Sequence, residues 1–209
     1  TLDDQAELTT IFTEKSVDFI NENKDNPFFL YVPHPMPHVP IAVSEKFLGK
    51  SEQGLYGDLM MEIDWSVGRI INALEQNNII DNTLIIFTSD NGPWLNFGNH
   101  AGSTGGLREG KGTSFEGGQR VPTVMMWPDV IPAGKIANQL SSAIDILPTV
   151  SHIVDGNLPK HKIDGINIME ILKGEKVNPR KEFYYYYGNN NLEAVRKDNW
   201  KLILPHTSR

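Results

Sequence analysis

Asp90 and Asn91 stand where an apolar run, Leu84 to Phe87, stops abruptly at Thr88-Ser89-Asp90-Asn91-Gly92. A buried strand opening into a loop there would direct a carboxylate and an amide oxygen into the cleft at its end. Such oxygen donors suit a hard cation, Ca²⁺ or Mg²⁺, rather than zinc, although Ca²⁺ takes about six to eight oxygens and two are only a start. Asp-Asn-Gly is equally an ordinary turn sequence. Twenty residues further on, Lys111 sits between Gly110 and Gly112 with Arg108 just before it. The glycines let backbone approach a ligand, so the two cations can grip a tetrahedral oxyanion; the plainer reading is a glycine-rich loop with solvated charges. Glu116 and Arg120 are four apart around Gly117-Gly118, a spacing that predicts a structural ion pair latching the loop.

Histidines form a second set. Pro33-His34-Pro35-Met36-Pro37-His38-Val39-Pro40 carries two. Each can donate to an anion or act as acid or base near neutral pH, or be merely solvated, as loop histidines usually are. The end of an apolar run raises His38 above that background. His100, between Asn99 and Ala101, is placed similarly, whereas His152, His161 and His206 have no such context. Asp3-Asp4 has the look of a metal-binding pair, but it precedes a helical pattern and reads as helix N-terminal charge.

The elements that must position these residues follow from periodicity. Leu8, Ile11, Phe12, Phe19 and Ile20 have helical spacing over residues 4–23, and Pro27 blocks continuation. Phe28 to Val32 is a short apolar run bounded by prolines, which predicts a buried strand, and the four prolines after it force a stiff loop. Tyr56, Leu59, Met60, Ile63, Val67, Ile70, Ile71 and Leu74 mark the clearest helix, with Asp58, Glu62, Arg69 and Glu75 on its opposite, solvent-facing side. Leu84 to Phe87 is then a second buried strand. Strand, helix, strand predicts a βαβ unit with parallel strands and ligands beyond their carboxyl ends. Val121 to Trp127 is a further strand. Ser141 to Val154 is a helix with Asp145 as N-cap, Pro148 in its first turn and Gly156 as its stop. Phe183 to Tyr187, then Ala194 to Leu204 with a turn at Asp198-Asn199, predict a strand followed by a hairpin in a small antiparallel unit.

Composition bounds the alternatives. The 209 residues, 39% hydrophobic, suffice for one large domain or one domain with a small appendage. A net charge of −7 argues against a nucleic-acid partner. No run reaches the roughly 18 apolar residues of a membrane span. There is no cysteine, which removes disulfides, thiolate metal sites and a cysteine nucleophile within these residues. The chain begins at Thr1 without a methionine or signal-like segment, and is read as a piece of something longer.

Ser89-Asp90-Asn91-Gly92, followed by Gly106-Leu107-Arg108-Glu109-Gly110-Lys111-Gly112-Thr113 and Glu116-Gly117-Gly118-Gln119-Arg120-Val121-Pro122, closely resembles the type I sulfatases, the arylsulfatase family of the alkaline-phosphatase-like superfamily. The likeness continues through Trp127-Pro128, Asp145-Ile146-Leu147-Pro148-Thr149 and Asp164-Gly165, and rests on order and spacing rather than on any one motif. It implies an α/β fold: a partial alkaline-phosphatase-like sheet with flanking helices over residues 1–155, the C-terminal part of the catalytic domain. Residues 156–209 would be a linker and the start of a small C-terminal antiparallel subdomain.

For function, the resemblance implies a sulfuric ester hydrolase acting on an aryl sulfate or sulfated sugar. Asp90 and Asn91 would hold one Ca²⁺. Lys111 and His38 would be catalytic, Lys111 on the sulfate and the nucleophile's side chain, His38 on the sulfate or its leaving oxygen. His100 joins them as a substrate-side residue and His34 matches a variable position, while Arg108 is a substrate-binding candidate from its place beside Lys111 on the glycine-rich loop. A periplasmic or extracellular setting is implied too. Two family features are missing from these residues: an N-terminal Asp-Asp metal pair, and the C/S-x-P-x-R motif whose Cys or Ser becomes the formylglycine nucleophile. The chain is therefore expected to be the C-terminal half, lacking its N-terminal half and inactive alone. The alternatives are a phosphodiesterase or phosphonate hydrolase of the same superfamily, and a non-catalytic relic that binds a sulfated glycan. Retention of Asp90, Asn91, Lys111 and His38 together argues against the relic.

Overall fold

A computed structural model describes residues 2–207, and for Leu2 and Asp3 the backbone alone. The expectation for the Asp3 carboxylate therefore lies outside the described residues, while Asp4 is exposed within α1 (Leu2–Ala6). The chain forms two compact units, Thr1–Thr83 with Pro93–Gly106, and Leu84–Gly92 with Leu107–Arg209. Among the described residues no helix is long and apolar enough to cross a membrane.

The first unit is built on α2 (Leu8–Asn23) and α3 (Gly54–Gln76), which pack together. Their shared face is unusually polar, since α2 buries Thr9, Thr13 and Ser16 beside Ile20. The Thr13 hydroxyl donates to Ser66 Oγ at 2.6 Å, and Thr10 donates to Glu62 at 3.0 Å. Here the structure corrects an expectation: Asp58 and Glu62 of α3 are buried, 2% and 0% exposed, whereas Arg69 and Glu75 do face solvent. The physical reason is backbone donors from the preceding loop. Ser44 N–H donates to Glu62 at 3.0 Å, and Gly49 and Ser51 N–H donate to Asp58 at 2.8 and 2.6 Å. A buried carboxylate so supplied is tolerated, and those amides hold the Asp58 carboxyl below its usual range. Met36, Ile41, Ala42, Val43 and Phe47 of the loop segment join Leu59 and Ile63 in the core.

Phe28 to Val32 is not the buried strand that its composition predicts. The segment belongs to no ladder among the described residues, and Phe29 and Tyr31 are 72% and 75% exposed. Exposure alternates along it, and Phe28 packs edge-on against Phe19. A continuously apolar strand needs both faces covered and a hydrogen-bonded neighbour; here one face has cover and no neighbour is paired.

In the second unit, β1 (Ile85–Thr88) pairs with β2 (Thr123–Met126) antiparallel, Ile85 opposite Met126 and Thr88 opposite Thr123. Among the described residues the expected parallel βαβ pairing is not formed: β1 pairs with β2, and Phe28 to Val32 joins no ladder. Behind the sheet lie α5 (Ile146–Ile153) and α6 (Met169–Leu172). Ile86, Met125, Ile146, Val150, Ile168 and Leu172 close around a cavity of only about 10 Å³. Asp145 precedes α5 but does not cap it. Its buried carboxylate instead accepts Ser142 N–H and Ile166 N–H and pairs with Arg180, tying three segments together. Pro148 is buried in the first turn of α5, as expected. The turn out of the helix is made by Asp155, at φ +50°, one residue before Gly156.

The C-terminal residues form a meander of β3 (Glu182–Tyr187), β4 (Asn191–Lys197) and β5 (Trp200–Ile203), in that order and antiparallel throughout. The hairpin expected at Asp198-Asn199 is present, with Asp198 at φ +51°, and a second turn at Gly188 to Asn190 joins β3 to β4.

Candidate active site

Three backbone segments of the second unit meet directly, and glycine is what lets them. Asp90 and Asn91 follow β1, with Ser89 Oγ donating to the Asn91 carbonyl at 3.1 Å. The next amide, Gly92 N–H, donates to the Gly118 carbonyl at 3.0 Å, and a Cβ on Gly92 would collide with the Gly117 carbonyl. Gly117 in turn donates to the Arg108 carbonyl at 2.8 Å, and a Cβ there would strike the Arg108 and Glu109 carbonyls. So α4 (Glu116–Gln119) is a spacer-free clamp holding the Asp90-Asn91 turn against the Arg108 to Thr113 loop. Within the loop, Glu109 and Gly112 adopt φ of +62° and +87°, and Lys111 between them is half-buried.

The loop's outer face is braced by the C-terminal meander, a support that sequence reading missed. Ser114 Oγ donates to buried Glu193 of β4 at 2.9 Å. Gln119 Nε2 donates to the Tyr187 hydroxyl at 2.7 Å and to the Thr113 carbonyl at 2.9 Å. Glu116 pairs with Lys201 at 2.9 Å and Arg196 at 3.3 Å. The predicted Glu116–Arg120 latch does not form, because α4 ends at Gln119 and Arg120 turns to an extended backbone, off the helical face. Burial lowers the Lys201 ammonium's pKa while Glu116 opposes that, and burial followed by Glu116 raises the Tyr185 phenol's. The available signal was Glu193, a charge flanked by Leu192 and Ala194 inside a strand.

Arg108 is exposed, and its guanidinium lies 4.0 Å from the centre of the Phe115 ring, a cation–π placement. Among the described residues, no three or more His, Asp or Glu side chains converge on a metal position. The Asp90 carboxylate and Asn91 amide are nevertheless adjacent oxygen donors at a strand end, chemistry that fits part of a Ca²⁺ shell.

The histidines belong to the first unit, and the structure separates them. His34 turns inward, its Nε2 3.1 Å from Ser66 Oγ and its ring edge-on to Phe12. Burial lowers its pKa, partly offset by nearby Glu62. It is a packing residue. His38 is exposed, with Nδ1 2.7 Å from the Val39 carbonyl. A carbonyl only accepts, so Nδ1 carries a proton and Nε2 is the nitrogen left for exchange. His100 ends a 3₁₀ turn, Leu95–His100, and lines an open recess of about 260 Å³ with Val39, Pro40, Trp94 and Phe97. His38 touches the same group through Trp94, ring centres 6.2 Å apart.

The α/β fold that carries this strand-end Asp-Asn turn and Gly-Lys-Gly loop is that of solved sulfatases. A sulfatase from Pseudoalteromonas sp. superposes on 97% of this chain with a TM-score of 0.90 at 30% identity, the match covering 41% of that protein. Residues 3–156 match the sulfatase family, and residues 110–206 match the C-terminal region of N-sulphoglucosamine sulphohydrolase. The chain therefore belongs to the type I sulfatase family, and corresponds to its C-terminal part. It is 39% identical to human steryl-sulfatase over 195 residues, 90% of this chain and 33% of that protein. With canine N-acetylgalactosamine-6-sulfatase the identity is 40% over 201 residues, 94% of this chain and 38% of that one. The chain thus spans about a third of the length of these relatives.

Proposed function

We propose that this chain supplies the cation-binding and sulfate-binding residues of a sulfuric ester hydrolase. The observation that carries the reading is the glycine clamp, which joins the Asp90-Asn91 turn to the Lys111 loop through Gly92, Gly117 and Gly118. Asp90 and Asn91 would hold Ca²⁺, whose charge, when it is bound, offsets that of the sulfate oxygens. Lys111, with glycine on either side, would offer its ammonium to the same sulfate oxygens; fixed donors act most where charge develops during bond breaking. His38 donates a proton to the departing alcohol oxygen through Nε2, since Nδ1 is engaged with Val39. Arg108, on the same loop as Lys111, would join it on the substrate's anionic group, and His100 would contact the substrate. The nucleophile belongs to a C/S-x-P-x-R motif, which these 209 residues do not contain. A periplasmic or extracellular setting goes with this reading, and fractionation of source cells tests it.

In the full-length protein, Lys111→Ala is expected to lower kcat/KM for 4-nitrophenyl sulfate by about 10²- to 10³-fold. His38→Ala should cost about 10²-fold or more on an alkyl sulfate, whose alkoxide needs protonation, and far less on 4-nitrophenyl sulfate. The isolated 209-residue chain is expected to show no turnover. Turnover by the chain alone, or a full-length enzyme faster on phosphonate or phosphodiester than on sulfate esters, would overturn the reading.

A further inference from the structure

Almost no backbone torsion between His34 and His38 is free. Pro35 and Pro37 have φ fixed by their rings, and His34 and Met36, each standing before a proline, are kept out of the helical region. His38 N–H donates to the Pro35 carbonyl at 3.1 Å and closes a turn. Met36 is 5% exposed and packs in the core with Leu59 and Ile63 of α3. A shift at His34 therefore reaches His38 with few soft joints to absorb it. His34 also ties the loop to the helices through a polar contact. Its Nε2 lies 3.1 Å from Ser66 Oγ on α3, and Ser66 in turn meets Thr13 of α2 at 2.6 Å, both residues being 0% exposed. A hydroxyl oxygen has two lone pairs, so Ser66 accepts from Thr13 and from His34 Nε2 together. Nδ1 is then bare, which fits its position: it is buried and meets no hydrogen-bond partner among the described residues. Around the ring stand Phe12 of α2, edge-on, and Glu62 of α3, the charged group that faces it. Thr10 and Ser44 occupy the Glu62 carboxylate.

We infer that His34 is a positioning residue, whose bond to Ser66 sets where His38 Nε2 stands for proton transfer to the departing alcohol. The inference rests on the proposed role of His38 and goes beyond it, since the family resemblance leaves position 34 variable. An apolar side chain would fill the space beside Phe12 without burying a polar ring. What histidine adds is the bond to a residue of α3 that is itself held by α2. Contacts run from α2 through Thr13, Ser66 and His34 into the proline loop, so the two packed helices are the reference frame for His38. Catalysis is sensitive to such placement, a shift of about 1 Å costing up to about 10²-fold. A protonated His34 would carry an N–H at Nδ1, where no acceptor stands among the described residues. The anchor therefore holds in the neutral state and loosens in acid.

The test uses the full-length protein with Ser66→Ala, which removes the bond, and His34→Leu, which keeps an apolar packing group without it, assayed at a temperature where both stay folded by circular dichroism. Turnover is read on two esters: an alkyl sulfate, whose alkoxide needs the His38 proton, and 4-nitrophenyl sulfate, whose phenolate has far less need of it. In both variants kcat for the alkyl sulfate should fall about tenfold with KM within about twofold, and kcat for 4-nitrophenyl sulfate should stay within about twofold. On a His38→Ala background the same substitutions should change the alkyl rate by less than about twofold, because the group they position is gone. A merely structural His34 would lower both esters equally and would still do so without His38; either result would overturn the inference. A second arm needs no turnover. With isotope-labelled methionine methyl groups, the Met36 signal, assigned through Met36→Leu, should titrate below pH 6.5 in the wild type and lose that step in His34→Leu. No step in the wild type, or an identical step in both, would overturn the inference. If the wild type hydrolyses no sulfate ester, or His38→Ala treats the two esters alike, the proposed function fails, and the Met36 signal still decides whether His34 holds the loop.

Discussion

At the scale of single residues, the smallest side chains carry the tightest constraint. Gly92 has no room for a methyl group, because the Gly117 carbonyl already occupies that position. Gly92→Ala is therefore expected to destabilise by about 1–3 kcal/mol, the usual cost of forcing an overpacked site apart. A thermal melt would show it, and an unshifted melting temperature would contradict the backbone clamp. His34 makes a prediction in pH. Burial lowers its pKa from 6.5, so below about pH 6.5 the unfolded chain takes up a proton that the folded chain refuses. Stability should fall as pH drops through 6.5 and level off below the folded value. In His34→Gln that acid-side slope should flatten, whatever the variant's absolute stability; an unchanged slope between pH 7 and 5 would refute the assignment. Asp58 acts in a different window, its contribution present above about 3.8 and lost as pH falls through its depressed value.

At the scale of elements, the meander and the anion loop are one mechanical object. Ser114 to Glu193, Gln119 to Tyr187, and Glu116 to Arg196 and Lys201 all join the segment after Lys111 to the C-terminal strands. Glu193 is 2% exposed. Glu193→Ala leaves the buried Ser114 hydroxyl without this acceptor, at a cost of about 1–3 kcal/mol. Hydrogen exchange should speed up at residues 110–119 in that variant, and protection equal to wild type would show that the loop is held from elsewhere. Glu116 sits 29% exposed between two cations, so its own contribution is discounted by solvent screening. The polar seam between α2 and α3 follows a similar logic, since Glu62 is buried because Thr10 and Ser44 satisfy it.

At the scale of the molecule, the two family matches overlap between residues 110 and 156. That interval holds Lys111, the α4 clamp, β2 and α5, so the sulfatase core and the C-terminal region share the same short segment. The chain spans about a third of its relatives, and a Ca²⁺ shell needs more oxygens than Asp90 and Asn91 supply. In the full-length protein, Ca²⁺ at about 100 times its Kd should stabilise by about 2.7 kcal/mol, and Asp90→Ala should abolish that gain. A calcium-independent melting temperature in the wild type would remove Asp90 and Asn91 from the metal role.

Much of this was legible in the chain itself. Helix α3, the strands at 85–88 and 123–126, Pro148 in a first turn and the Asp198 hairpin follow from local rules: the 3.6 period, proline and turn chemistry. The family followed from motif order, since Ser89 to Gly92, Gly106 to Thr113 and Glu116 to Pro122 stand in the order and spacing that resemble the sulfatases. Pairing and burial were another matter. Phe28 to Val32 reads as a strand by composition, but a strand exists only with a partner, and no partner is encoded locally. Asp58 and Glu62 read as a solvated face until distant amides of Ser44, Gly49 and Ser51 arrived to satisfy them. Asp145 reads as a helix cap, yet Ile166 and Arg180, remote in sequence, claim its carboxylate. Local residue type determined which groups carry the chemistry; only the tertiary structure decided their partners, because hydrogen bonds and ion pairs between distant segments depend on where the chain returns.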